Sequence, residues 1–353
     1  MGMYLTSKRL LAAGVALVGA AVLSLGGLLV GGVRVQAANS EYGSCQPVSL
    51  PVSLSAGLPA DQKLSGTLCT PLDWAEGAHQ IDVMVSGGSY NRTYWDWPVK
   101  PAIYSYVDKT LRAGRATLAY DRIGYGASSH PVSALVTVDA NAYALHQLIQ
   151  WASGQGFTQV NAIGHSVGSV VALKEASTYK DVTRLVLTGM LHPIAPLAST
   201  VVATDIYPAL LDPQFLGKSF DPGYLTTRPG TRQSLFYVPW ADPAVVAYDE
   251  AHKDTMTSVE FDGALTETEL PPILNTTGKG ITVPLLIVVG ENDALLCGVL
   301  APCSQNQLYV REAPYYSNAA DFTVKSIPGT GHSLTLNPTA DESFGAINQW
   351  LND

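Results

Sequence analysis

The sequence predicts an α/β fold with a mostly parallel central sheet flanked by helices, and three observations carry that expectation. From about residue 64 onward, short runs rich in Val, Ile and Leu alternate with segments of helical periodicity. This is the pattern of parallel strands joined by right-handed helical crossovers. The pentapeptide Gly164-His165-Ser166-Val167-Gly168 stands where one such run meets a helix-forming segment, and two later strand-like segments end in loops carrying Asp293 and His332.

The first segment stands apart from that pattern. Lys8-Arg9 precedes a charge-free apolar stretch over 10–33, and Val35-Gln36-Ala37 follows with small residues suited to cleavage. Residues 1–37 therefore read as a secretory signal peptide, and secretion is the expected localisation. The alternative is an uncleaved anchor with the rest of the chain outside, because the apolar stretch is long enough to span a bilayer. Cleavage would remove Lys8, Arg9 and Arg34 and no acidic residue, leaving 17 basic against 29 acidic residues and a net charge of −12. So acidic a surface argues against nucleic acid or an anionic membrane as partner.

Residues 38–63 are rich in Ser, Pro and Gly and are expected to wrap the surface before a first strand near 64–68. A strand at 80–85 leads into Ser86-Gly87-Gly88-Ser89-Tyr90, and the aromatic-dense run Tyr90-Asn91-Arg92-Thr93-Tyr94-Trp95-Asp96-Trp97 follows. Over 138–152, Ala144, Leu145, Leu148, Ile149 and Trp151 recur at helical spacing, as a crossover helix before the strand 158–163 requires. Strands are also expected at 184–188, 283–289 and 321–327, the second almost wholly apolar as a strand covered on both faces should be. Between the first two of these lie roughly 90 residues, far more than a crossover needs. That excess reads as an inserted cap of short, Pro-punctuated helices lying over the catalytic edge, so the expected organisation is 38–189, a cap at 190–282, and 283–353.

The four cysteines, Cys45, Cys69, Cys297 and Cys303, all follow the predicted cleavage site, an even number that suits an oxidising compartment. Three pairings are possible. The local one, Cys45 with Cys69 and Cys297 with Cys303, is expected, since the second bridge would close a short loop just after Asp293. No C-x-x-C and no histidine pair at ligand spacing occurs, so neither a metal nor a cofactor is expected.

The chemistry centres on Ser166. A serine hydroxyl is a poor nucleophile at neutral pH and needs a histidine to take its proton and a carboxylate to orient that histidine. The run 283–289 ends in Gly290-Glu291-Asn292-Asp293, and the run 321–327 ends in Pro328-Gly329-Thr330-Gly331-His332-Ser333, both on loops at the carboxyl end of a strand. The order along the chain is Ser, Asp, His. In this order, and in the G-x-S-x-G turn itself, the sequence resembles the α/β-hydrolase superfamily over about residues 64–352. The stretch Asp121-Arg122-Ile123-Gly124-Tyr125-Gly126-Ala127-Ser128 looks like a strand-end turn common in that superfamily and is given a structural role.

The resemblance implies an α/β-hydrolase fold with a helical cap and a catalytic triad of Ser166, Asp293 and His332. It favours Asp293 over Glu291 as the acid, through the usual spacing after the strand-ending glycine. It implies an oxyanion hole from the backbone N–H groups of Val167 and Gly88. Many members carry His-Gly where this chain has Ser86-Gly87, which leaves open whether Gly88 or Ser89 donates. Tyr90, Trp95 and His165 are the expected substrate-contacting side chains, although a core role is equally open for Trp95 and Trp97, and His165 flanks the nucleophile on the side away from its base. The expected function is a serine hydrolase that cleaves carboxylic esters or lactones of apolar, small to medium substrates. Alternatives on the same fold are an acyltransferase or an aminopeptidase, the latter with Asp249, Glu250 and Asp254 to hold a substrate ammonium; a non-catalytic binding protein is the alternative of another class.

Overall fold

The structure is a computed structural model that describes residues 39–72, 74, 79–194, 204–298 and 301–353; the predicted signal segment lies outside them. Its strands are β1 (Asn39–Ser40), β2 (Gly43–Val52), β3 (Gln62–Pro71), β4 (His79–Val85), β5 (Ala116–Asp121), β6 (Phe157–His165), β7 (Arg184–Thr188), β8 (Ile206–Pro208), β9 (Tyr224–Thr227), β10 (Met256–Thr257), β11 (Leu285–Gly290) and β12 (Phe322–Ile327). The helices are α1 (Pro101–Tyr104), α2 (Tyr106–Arg112), α3 (Val138–Gly154), α4 (Val167–Tyr179), α5 (Arg232–Phe236), α6 (Pro243–Ala251), α7 (Ser258–Glu269), α8 (Thr276–Lys279), α9 (Gln305–Glu312) and α10 (Ala340–Asn352). Among the described residues no helix is long and apolar enough to cross a membrane.

Nine strands form the main sheet in the order β1-β2-β3-β5-β4-β6-β7-β11-β12. From β5 to β12 every neighbouring pair is parallel, while β1, β2 and β3 add on as an antiparallel edge. The period-2 geometry of a strand divides each parallel strand between two cores. Leu285, Ile287 and Val289 face the layer containing α3 and α4, and Leu286 and Val288 face the layer containing α2 and α10. This two-sided burial explains why those strands are nearly continuous apolar runs in the sequence.

Residues 43–52 were expected as surface coil and are instead a ten-residue strand, β2, paired along its whole length with β3. Pro47 and Pro51 obscure it in the sequence. Both prolines are exposed, and β1 covers only two residues of the other side, so the missing N–H groups are tolerated on a nearly free edge. Cys45 and Cys69 are directly opposite across β2 and β3 and form one disulfide, and Cys297 with Cys303 forms the other. Two disulfides suit an extracellular protein.

The insertion between β7 and β11 is not only helical. It contains α5 to α8 and also a small antiparallel sheet in the order β10-β9-β8. It is tied to the main body by buried ion pairs and hydrogen bonds. One runs from Arg122, after β5, to Glu260 on α7, and Tyr125 and Asn141 donate to the same carboxylate over 2.5 and 2.8 Å.

Candidate active site

Four strand ends converge on one edge of the sheet: β4, β6, β11 and β12. At the end of β6 the chain turns straight into α4, and Ser166 stands in the turn with φ 53° and ψ −123°, a conformation rarely adopted by a residue with a side chain. Close packing on both sides explains the flanking glycines. A Cβ on Gly164 would lie 2.4 Å from Ser169 Cα, and one on Gly168 would lie 2.3 Å from the Ser86 carbonyl oxygen. The turn is fixed to β7, because the Ser166 N–H and the Ser169 hydroxyl both donate to the Thr188 carbonyl over 2.8 Å.

The loops after β11 and β12 press on each other, with Asn292 N–H donating to the Thr330 carbonyl over 2.9 Å. A Cβ on Gly290 would meet that carbonyl oxygen at 2.3 Å, so the close approach requires glycine. This contact brings Asp293 under His332. His332 Nδ1 lies 2.7 Å from Asp293 Oδ2, and His332 Nε2 lies 2.9 Å from Ser166 Oγ. Asp293 is fully buried, and its Oδ1 accepts the N–H groups of Leu295 and Leu296 over 2.9 and 3.1 Å. With both carboxylate oxygens so engaged, the proton of a neutral His332 sits on Nδ1 and the Nε2 lone pair faces Ser166. Glu291, the rival acid, is exposed.

The loop after β4 lies against the nucleophile: a Cβ on Gly87 would be 3.1 Å from Ser166 Cβ. Arg122 Nη2 donates to the Gly87 carbonyl over 3.2 Å, and Tyr90 N–H donates to it over 3.3 Å. In a trans peptide the C=O and the following N–H point oppositely, so these two donors also set the direction of the Gly88 N–H. Gly88 itself packs by Val167 and Met256; a Cβ there would lie 3.3 Å from Val167 Cγ2 and 2.7 Å from Met256 Sδ. Val167 opens α4, so its N–H is among the first-turn donors for which a helix offers no internal acceptor. The loop does not lack support for want of a histidine at position 86, because the Ser86 hydroxyl donates across the turn to the Tyr90 carbonyl over 3.0 Å. Ser89, at φ 58°, accepts from Arg232 Nη1 at 2.8 Å through its side-chain oxygen. Arg122, Glu260 and Arg232 went unnoticed as parts of this site in the sequence.

A narrow cavity of about 70 Å³ opens beside Ser166 and His332. Its remaining wall is Val167, Val170 and Gly189 from the main body, Met190, Ile194, Phe261, Ala264, Leu265 and Thr268 from the insertion, and Leu295 and Leu296 after Asp293. Tyr90, Trp95 and His165, expected against substrate, are not in that wall. His165 is fully buried, stacked on Tyr94 at 4.5 Å, and its Nδ1 lies 3.1 Å from Thr188 Oγ1. Burial, and secondarily the neighbouring His332, holds its pKa well below the usual histidine value. Trp95 is fully buried between Tyr94 and Tyr106. The Tyr90 hydroxyl lies 2.9 Å from Asp249 Oδ2 and 2.8 Å from Ser333 Oγ. The aromatic run, expected to wall the pocket with a core role equally open for Trp95 and Trp97, packs in the core behind the loop.

Residues 83–341 match the sequence profile of the Alpha/beta hydrolase family. The chain belongs to that family. No curated protein matches it by sequence. Among solved structures, it is similar to a soluble variant of the monoglyceride lipase of Saccharomyces cerevisiae, with TM-score 0.60 and 14% identity over 90% of this chain and 97% of the other. It is also similar to a thermostable carboxyl esterase of Bacillus coagulans, with TM-score 0.57 and 17% identity over 87% and 98%. A third is a thermophilic esterase of Thermogutta terrifontis, with TM-score 0.53 and 21% identity over 87% and 98%. At these identities the likeness is one of fold.

Proposed function

We propose that the protein is a secreted serine hydrolase that cleaves carboxylic esters or lactones of small, apolar acyl groups. The observation that carries this reading is the continuous relay from Asp293 through His332 to Ser166, at 2.7 and 2.9 Å, opening on an apolar cavity. Ser166 Oγ attacks the substrate carbonyl while His332 Nε2 takes its proton, and Asp293 stabilises the imidazolium through Nδ1–H. The N–H groups of Val167 and Gly88 receive the oxyanion. Collapse of the tetrahedral intermediate expels the alcohol, which takes the proton from Nε2. Water then attacks the acyl-enzyme, passes a proton to Nε2, and the acid leaves as Ser166 recovers its own.

The cavity favours esters. Apart from Ser166 and His332 it offers one polar side chain, Thr268, and no charge. The acidic groups that would recommend an aminopeptidase are engaged elsewhere. Asp249 is buried against Arg232 at 2.8 Å and accepts the Tyr237 hydroxyl at 2.8 Å, Asp254 accepts Asn91 Nδ2 and Gly126 N–H over 3.0 and 2.9 Å, and Glu250 lies 3.4 Å from Lys253 Nζ. The names of the fold relatives, lipase and esterase, agree with the same reading.

A fluorophosphonate probe with peptide mapping of the adduct, together with turnover of p-nitrophenyl acetate, butyrate and octanoate, tests the proposal. One adduct on Ser166, short acyl esters preferred, and at least a 10³-fold loss of turnover in Ser166→Ala are expected. Labelling at another residue, or wild-type turnover by the alanine variant, would overturn it.

A further inference from the structure

Away from the catalytic edge, the middle of α3 and the last turns of α4 meet the turn that leads into β7. His146 on α3, Glu175 on α4 and Asp181 in the turn place one imidazole nitrogen and two carboxylate oxygens within 4.8 Å of one another. His146 Nδ1 is 2.7 Å from Asp181 Oδ2 and 3.8 Å from Glu175 Oε1. Glu175 is 0% exposed, and neither of its oxygens has a hydrogen-bond partner; buried Asp181 Oδ1 has none either.

A carboxyl so buried and unpartnered stays there only with a proton or a cation on it. Nearby ammonium groups do not. Lys174 is paired with Asp139 at 3.0 Å, and Lys180 donates to the Gly280 carbonyl. We propose that His146, Glu175 and Asp181 bind one divalent cation of the zinc class. A set of one imidazole nitrogen and two carboxylate oxygens suits zinc, whereas calcium and magnesium take oxygen ligands. Ligand atoms about 2.1 Å from a tetrahedral ion stand about 3.4 Å apart. That arrangement requires the His146–Glu175 separation of 3.8 Å to close and the His146–Asp181 contact of 2.7 Å to open.

The surroundings fit a ligand cluster. Gln150 Nε2 donates to Asp181 Oδ2 over 2.8 Å, and the Tyr179 ring stacks on His146 with centroids 4.0 Å apart, so two of the three ligands are already oriented. The His146 and Asp181 side chains are 24% and 15% exposed, so an ion arrives from solvent and Glu175 forms the floor. Glu175 is nine residues along α4 from Ser166, about 14 Å by helical rise. The ion therefore clamps α3, α4 and the turn before β7 and touches no reacting atom.

The test uses the full secreted protein, stripped with a chelator and then given zinc sulfate. Calorimetric titration and elemental analysis after gel filtration are expected to show one zinc per chain. The thermal midpoint should rise by about 5 °C at a hundredfold excess over Kd, and calcium chloride should not reproduce the rise. Glu175→Gln and His146→Gln, each with the wild-type circular dichroism spectrum, should lose affinity at least 10-fold and lose the rise. If Glu175→Gln fails to fold, His146→Gln at its part-exposed position carries the same comparison. No bound zinc in the wild type, or undiminished binding in a folded variant, would overturn the proposal and leave a proton shared by Glu175 and Asp181. Neither readout depends on turnover, so failure here is distinct from failure of the hydrolase reading.

Discussion

Replacing Glu260 with Gln separates the two roles that the geometry gives Arg122. Both side chains are fully buried, and Glu260 accepts from Arg122 Nη1, from Tyr125 and from Asn141. Burial pushes the Glu260 carboxyl up, and Arg122, Tyr125 and Asn141 oppose that shift. Glutamine keeps the shape but removes the charge; its oxygen can still face Arg122 and Asn141 while its amide donates to the Tyr125 hydroxyl, so what is lost is the counter-ion. Leaving a buried guanidinium without its counter-ion costs about 3–5 kcal/mol, a large part of a stability of about 5–15 kcal/mol. Arg122 also donates to the Gly87 carbonyl, and so fixes the Gly88 N–H. Loss of one oxyanion donor outright costs about 10²–10³ in kcat. A donor loosened but not lost should therefore cost about 10-fold in kcat, with KM little changed because the cavity wall is intact. Guanidinium unfolding gives the first quantity, and turnover of p-nitrophenyl butyrate well below the unfolding midpoint gives the second. A variant destabilised as expected but with wild-type kcat would refute the positioning of Gly88 by Arg122.

Two further substitutions probe the relay and the remote cluster. In Asp293→Asn, the Leu295 and Leu296 N–H groups select the amide oxygen, so the NH2 faces His332 Nδ1 and forces the tautomer with Nε2–H toward Ser166. The expected kcat loss is about 10⁴-fold with unchanged stability, and a loss below 10-fold would sink the assignment of Asp293 as the orienting acid. In zinc-free protein, Glu175 holds a proton up to about pH 10 when folded and loses it near 4.5 when unfolded. Its contribution to stability is therefore full below about pH 4.5 and falls as pH rises toward 10, by on the order of 1 kcal/mol per unit. Glu175→Gln should flatten that slope in denaturant titrations between pH 6 and 9; equal slopes in both proteins would contradict it.

What the sequence made legible follows from local physics. Parallel strands covered on both faces are apolar runs, as in the strand before Asp293, the glycines at 164 and 168 answer to backbone crowding beside their own turn, and His332 follows the edge strand β12 on a glycine-rich loop. The order of these elements sufficed to place three loops on one edge. β2 was hidden because Pro47 and Pro51 look like coil unless the free edge is known. Tyr90, Trp95 and His165 were misplaced because composition does not say which side of a loop an aromatic ring packs against. The anchors of the Gly87–Gly88 peptide were illegible for another reason: Arg122 and Glu260 are separated by 138 positions, and their pairing exists only once the insertion is folded onto the main body.

That pairing also bears on how substrate reaches Ser166. The insertion supplies half the cavity wall, yet it is held by more than apolar contact. Arg122–Glu260 is one tie; Arg232, paired with Asp249 at 2.8 Å and bonded to Ser89, is a second. Asp254 makes a third through Asn91 and Gly126. Swinging the insertion away as a rigid lid would break the buried Arg122–Glu260 ion pair, at about 3–5 kcal/mol if its charges stayed unpaired, and the Arg232–Ser89 bond, while the Arg232–Asp249 pair moves with the insertion. It would also leave Arg122, which orients the Gly87 carbonyl, without its counter-ion, and take Arg232 from Ser89, the residue after the proposed oxyanion donor. A lid motion that dismantles the oxyanion hole works against catalysis. Access is therefore cheaper through side-chain movement at the cavity mouth, where Ile194 and Leu265 are not fully buried, than through displacement of the insertion.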